Sequence, residues 1–201
     1  MPAQESFSLH EPVQAVLEIR NVIDRSVHLD LGGNRKELFT VTIIRPDGQK
    51  TVSRLPQPYD SFSEIGRVDL APQQSFSRTL VLNEWASFDR EGSYEVEIAV
   101  PPPPGLSNRP DVQLSAAGVV RVVPPDPARL GSACEKLESE ALHGSAEQQV
   151  EAGIALSFTT GDVCVPFMAK LLREKSFASE GAALGLARLG TPPAIAAIVK
   201  A

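Results

Sequence analysis

The spacing of apolar residues changes partway along this chain of 201 residues. In residues 13–19 every odd-numbered position is apolar, and most even-numbered positions are polar. This alternation predicts a strand with one buried face, because successive side chains of a strand point to opposite sides. From about residue 126 onward Ala, Leu, Glu and Lys predominate, which favours helices. The pattern therefore predicts an all-β part followed by an all-α part.

The first part is predicted to contain about eight or nine short strands, which favour a sandwich or a barrel. Pro46-Asp47-Gly48 predicts a tight turn, because proline presets φ and glycine accepts a positive φ. The polar stretch 56–66 and the proline run 101–104 are predicted to be loops. The predicted strands cover residues 13–19, 27–31, 39–44, 49–55, 68–70, 75–82, 93–100 and 112–123.

One segment of the first part carries a partial tyrosine corner, in which Asp, Gly and Tyr precede a central strand. Gly92 and Tyr94 have the expected spacing, Asp89 stands one residue too far away, and Val96 replaces the cysteine of antibody domains. Residues 6–124 therefore resemble bacterial immunoglobulin-like domains, including domains similar to intracellular proteinase inhibitors. The resemblance implies a β-sandwich that is not of the antibody type.

The run Pro124-Pro125-Asp126-Pro127 predicts the boundary between the two parts. Two prolines end the last strand, Asp126 suits a helix N-cap, and Pro127 suits the first helical position. The predicted domains are residues 1–124 and 125–201. The predicted helices cover residues 127–143, 146–159, 163–174, 178–189 and 192–201.

Three short motifs predict where these helices begin and end. Ser145 with Gln148 forms a capping-box pattern. Gly161-Asp162 is predicted to end one helix and cap the next. In Gly190-Thr191-Pro192, the glycine is predicted to end one helix, the threonine to be the N-cap of the next, and the proline to be its first residue.

Two stretches of the second part, 152–170 and 182–200, look alike at an offset of about 30 residues. Each has small residues, then a short turn, then an apolar helix. This sequence pattern is similar to short HEAT-like repeats such as those of bilin-lyase-type proteins. The similarity does not imply bilin chemistry. The resemblance implies an α-solenoid. Its last helix is apolar, so we expect either a longer array or another molecule covering the open end.

Charge and composition exclude several classes of function. The net charge is -6, and acidic and basic residues are interspersed without the basic face that nucleic-acid binding requires. No stretch approaches the roughly 18 apolar residues of a membrane span. Residues 1–5 lack the apolar core of a signal peptide. The compartment is therefore secreted or periplasmic if a signal peptide has been removed, and cytoplasmic otherwise.

No catalytic, cofactor-binding or metal-binding motif is present in the sequence. His10, His28 and His143 are interpreted as solvated residues. His28 and Asp30 could supply two metal ligands from one strand face, but no third ligand accompanies them. We therefore predict a chain that is not an enzyme and has no cofactor.

The two cysteines, Cys134 and Cys164, leave two interpretations open. They could form a disulfide worth roughly 3 kcal/mol, which would indicate an extracytoplasmic protein. Two separate buried thiols are the favoured interpretation.

The predicted function is a non-catalytic module for protein–protein interaction or scaffolding, with self-association through the last helix. The alternatives are a proteinase-inhibitor-like β domain and a regulatory module of a larger enzyme. Trp85 and Phe88 are either an exposed binding spot or a plug at one end of the sandwich core. The predicted interaction surface consists of Tyr59, Phe62, Trp85, Phe88, Pro102, Leu106, Ile195 and Ile198.

Overall fold

The computed structural model describes residues 2–31, 39–53, 66–100, 114–174 and 176–201. Within these ranges, strands occupy the first part and helices the second, so the predicted mixed β-plus-α organisation is confirmed. The strands are β1 Phe7–Ser8, β2 Gln14–Arg20, β3 Val27–Asp30, β4 Thr40–Ile44, β5 Lys50–Ser53, β6 Arg67–Leu70, β7 Ser75–Val81, β8 Gly92–Ala99 and β9 Ser115–Val123. The helices are α1 Pro127–His143, α2 Ala146–Ser157, α3 Val165–Glu174, α4 Ser179–Leu189 and α5 Pro192–Lys200. Two 3-10 turns span Leu82–Glu84 and Asp162–Cys164.

The chain divides into two compact units that do not follow a single cut near residue 124. The first unit comprises Met1–Ala3, Ala15–Leu80 and Ser93–Val120. The second unit adds Gln4–Gln14 and Val81–Gly92 to the segment Arg121–Ala201. The predicted bounds of 1–124 and 125–201 thus follow the change from strands to helices. The compact units differ from these bounds, because Gln4–Gln14 and Val81–Gly92 belong to the same unit as the helices.

The first unit contains a sheet in which β9, β8, β4 and β5 lie side by side. Strand β4 pairs antiparallel with β5 and with β8, so that Val41 lies opposite both Ser53 and Ile98. The predicted turn between β4 and β5 has Gly48 at φ 82°, and its amide donates to the Arg45 carbonyl at 2.9 Å. Alternation buries one face of β4 and of β8, as the period-two pattern predicts.

Two further strand pairs complete the described β structure of the first unit. Strand β2 pairs with β7, and β3 pairs antiparallel with β6. Leu29, Leu31 and Leu70 form a buried cluster beside the second pair. In the second unit, β1 runs parallel to the end of β9, with Phe7 opposite Val122.

The helix boundaries follow from local hydrogen bonds that the sequence predicts. The Asp126 carboxylate accepts from the amides of Ala128 and Arg129, both at 3.0 Å. Ser145 and Gln148 form the complete capping box at the start of α2. Gly190 ends α4 at φ 60°, where a residue without a side chain is favoured.

Gly161, rather than the predicted Asp162, stands at the N-cap of the second 3-10 turn. Thr191 is the N-cap of α5 with proline in the first helical positions, as predicted, but its side chain accepts no capping hydrogen bond. Instead, the Thr191 hydroxyl donates to the Asp162 carboxylate at 2.6 Å. A hydroxyl and a carboxylate 29 residues apart thus satisfy each other and fix the start of α5. Helix α2 also ends earlier than predicted, at Ser157.

The cysteine interpretation favoured above is wrong as well. Cys134 in α1 and Cys164 in the second 3-10 turn are joined by a disulfide. The fold brings their Cα atoms to 5.7 Å, a separation that suits a disulfide.

The helices pack in two rows within the second unit. Helix α3 contacts α1 and α5, and α2 contacts α4, while α1–α2, α3–α4 and α4–α5 are also in contact. Glycines bring the α2 and α4 backbones close together. A Cβ on Gly181 would lie 2.9 Å from the Gly153 Cα, and one on Gly185 would lie 3.1 Å from the Leu156 carbonyl oxygen.

We predict that Gly181→Ala destabilises the chain by about 1–3 kcal/mol, because the added methyl group meets backbone that cannot yield. The control is Gly131→Ala in α1, where the nearest neighbouring atom to a new Cβ is Val163 Cγ2 at 3.5 Å. There we expect a gain of about 0.5–1 kcal/mol from helix propensity. Denaturant unfolding monitored by circular dichroism measures both; equal effects of the two substitutions would contradict the close helix contact.

Candidate functional site

Helix α5 presents large apolar side chains to solvent. Ile195, Ile198 and Val199 are 53%, 42% and 81% exposed. Their spacing of three and four residues places them on neighbouring positions of one helix surface. The only charged residue of α5 is Lys200, at its last position. Helices at the surface of globular proteins carry polar residues on the outer side, so this exposed apolar face is unusual. We call Ile195, Ile198 and Val199 the α5 face.

The inner side of α5 explains why the large residues point outward. Ala194 is fully buried, and Ala197 packs partly buried against the same core cluster. Small residues let α5 lie close to α3 and α4, with which it is in contact. The larger side chains are thereby left on the solvent side. Ile195 and Ile198, which the sequence analysis assigned to an interaction surface, are thus found exposed.

A second accessible surface lies in the second unit around Phe177, which is 74% exposed. Phe177 lies between α3 and α4 and borders a cavity of about 530 Å³. Lys170 at this cavity forms an ion pair with Glu138. This cavity was not predicted from the sequence, although a phenylalanine in a short turn between two helices could have indicated it. The described lining residues are Leu142, His143, Gln149, Lys170, Glu174, Ser176 and Phe177.

Trp85 and Phe88 do not form an exposed binding spot. They are only 5% and 7% exposed. The 3-10 turn Leu82–Glu84 ends at Trp85 and belongs to the segment that compactness places in the second unit. The structure therefore corrects the exposed-spot interpretation and agrees with an interior position for both rings.

Four residues of the predicted interaction surface lie outside the described residues. Tyr59 and Phe62 lie between residues 54 and 65, and Pro102 and Leu106 lie between residues 101 and 113. Their roles stay predictions.

Two of the described histidines, His10 and His28, have polar partners within hydrogen-bond distance. His28 Nδ1 lies 2.5 Å from Asp69 Oδ1 across the β3–β6 pair, and both side chains are largely exposed. His10 Nδ1 lies 2.6 Å from the Thr160 hydroxyl, and His10 has a positive φ of 84°. Neither pair was predicted, because each joins residues far apart in the sequence.

The buried carboxylate of Glu11 is fully engaged within the second unit. It accepts from the Ser8 amide at 2.7 Å and from Arg129 Nε at 2.8 Å. Elsewhere in the described ranges, no three His, Cys, Asp or Glu side chains converge as metal ligands would. None of the described helices combines the length and the apolar character needed to cross a bilayer.

Comparison with protein-family models finds no match, and comparison with curated proteins finds none either. Among solved structures, the chain is similar to the crystal structure of the class 5 fimbriae chaperone CfaA, with 16% sequence identity and a TM-score of 0.34. The match covers 63% of this chain and 56% of the chaperone chain, so it spans little more than half of that protein. A likeness of this degree assigns neither a family nor a function.

We predict that the fluorescence of Trp85, the only tryptophan of the chain, reports a buried indole. Its emission is expected at shorter wavelength in the folded protein than in the protein unfolded by denaturant, and iodide should quench it only weakly. In denaturant the emission should shift to longer wavelength, and iodide should then quench it strongly. Emission at the unfolded wavelength with full iodide quenching in the native state would restore the exposed-spot interpretation.

Proposed function

We propose that this chain is a non-catalytic protein–protein interaction module, built as an immunoglobulin-like β-sandwich followed by HEAT-like helices, and that it binds a polypeptide through the α5 face. The observation that carries the proposal is the exposure of three large apolar side chains on a helix with one charge. Contiguous apolar surface of this kind marks interaction sites on folded proteins.

The arrangement of the helices supports the HEAT-like part of the proposal. Contacts run from α1 to α3 to α5 and from α2 to α4, which is the alternation of two stacked rows. In a solenoid each helix pair buries an apolar side against the neighbouring pair. Before Lys200, the exposed side of α5 carries no polar residue, so its surface suits another helix laid against it.

The partner we propose first is a second copy of this chain. The α5 face carries no carboxylate or cationic group among Ile195, Ile198 and Val199. Lys200, the one charged residue of α5, lies at its last position, so two α5 faces can meet through their uncharged residues in the self-complementary contact of a twofold dimer. One helix face is smaller than the roughly 800 Å² per partner of stable interfaces, so we expect dissociation constants in the micromolar range or weaker.

The contacts of the described histidines and of Glu11 support the proposal that the chain is non-catalytic. His28 contacts one exposed carboxylate, and His10 contacts a threonine hydroxyl. Glu11 is held by Arg129 as part of the fold. The proteinase-inhibitor-like and regulatory-module alternatives stay predictions, since the loops that would carry inhibition lie outside the described residues.

We predict that Ile195→Lys combined with Val199→Lys raises the dissociation constant of the dimer at least tenfold, because charges must be desolvated when the two faces meet. Both positions are solvent-exposed and lysine has a higher helix propensity than isoleucine or valine, so the fold is expected to persist. Sedimentation velocity over a range of concentrations from about 10 μM upward measures the effect across the expected affinities.

The matched control is Val22→Lys, which places a charge at another exposed valine, 67% exposed, in the first unit. It should leave the association unchanged. A wild-type chain that sediments as a monomer at every concentration, indistinguishable from the double variant, would refute self-association through the α5 face.

A further inference from the structure

The disulfide between Cys134 and Cys164 has the properties of a structural cross-link. Both cysteines are fully buried, and both belong to the same apolar core cluster of the second unit. The chain has two cysteines in all, so each has one possible partner within the molecule. Their Cα separation of 5.7 Å lies within the range that disulfides prefer.

The surroundings of the two sulfurs do not resemble those of a redox sensor. Cysteines that respond to oxidants or reductants are accessible and have stabilised thiolates. Here the neighbours in the core cluster are apolar side chains such as Leu130, Leu137 and Met168. A reductant can therefore reach the bond only when the second unit opens.

The position of the bond in the chain makes it effective. It joins α1 to the turn before α3 and encloses the whole of α2, with a sequence separation of 30. Closing a loop of this length lowers the entropy of the unfolded chain and favours folding by roughly several-hundred-fold. The bond thus ties the first helix pair to the helices that follow it.

From these observations we propose that the chain matures and acts in an oxidising, extracytoplasmic compartment, where the Cys134–Cys164 disulfide is a permanent staple of the helices. Reducing cytosol keeps such cysteine pairs as thiols, whereas secreted and periplasmic proteins retain the bond. Formation of the bond removes two protons and two electrons from the thiols. A protein or small-molecule disulfide of the compartment accepts them and becomes a dithiol.

The test is a thiol count on the chain in the cells that make it. Cells are quenched in acid, the protein is unfolded and treated with a maleimide of high mass, and its gel mobility is read by immunoblot. We expect no labelled cysteine without reductant and two after reduction. A chain that is labelled twice without prior reduction overturns the proposal.

A second measurement separates a staple from a switch and does not depend on a variant that folds. In native buffer, dithiothreitol should reduce the bond at least a hundredfold more slowly than in denaturant. Equal rates in the two conditions overturn the structural role.

The variant Cys134→Ala with Cys164→Ala serves as the control for stability. The midpoint of denaturant unfolding should fall in the wild type after reduction and should be insensitive to reductant in the variant. A wild type with the same midpoint in both redox states contradicts the staple. Because none of these readouts involves α5, their failure is distinct from failure of the proposed interaction.

Discussion

The close approach of α2 and α4 is the constraint on which the helical unit depends. Gly153 faces Gly181 and Ala178, and Gly185 lies against the Leu156 carbonyl, so the two backbones nearly touch. Such proximity leaves no room for a side chain of any size. It fixes the α2–α4 row, which in turn positions α3 and α5 in the other row. Arg188 strengthens the same contact, donating to the Ser157 carbonyl at 2.9 Å and lying over the Phe158 ring.

The α5 face follows from that packing. Once small residues occupy the inner contacts, Ala194 and Ala197 turn toward the core and the larger Ile195 and Val199 remain outside. An isolated helix of nine residues is not stable in water, so α5 depends on these inner contacts and on the Thr191–Asp162 bond for its position. Much of its outer surface stays exposed to solvent in the monomer. That separation between the inner and outer sides is why we assign the outer side to binding.

The sequence predicted most of the helical part because the signals there are local. Caps at Asp126 and Ser145 and the glycine at Gly190 each act within four residues, and the helices begin and end close to the predicted positions. The exposure of Ile195 and Ile198 could likewise be predicted, because a helix with apolar residues on all sides cannot bury all of them in one contact.

Features that depend on distant residues could not be predicted. The Asp162 side chain bonds Thr191 rather than its own helix, and His10 bonds Thr160 across 150 positions. The assignment of Val81–Gly92 to the helical unit, with Trp85 and Phe88 buried, likewise depends on contacts between segments far apart in the chain. The disulfide illustrates the same point, because a spacing of 30 residues permits a bond but does not require one.

Hydrogen–deuterium exchange at several protein concentrations tests the role of the α5 face most directly. The amides of residues 192–200 are expected to exchange more slowly as concentration rises, while those of α1 keep a constant rate. Exchange in residues 192–200 that is independent of concentration, up to the highest concentration attainable, would contradict the account.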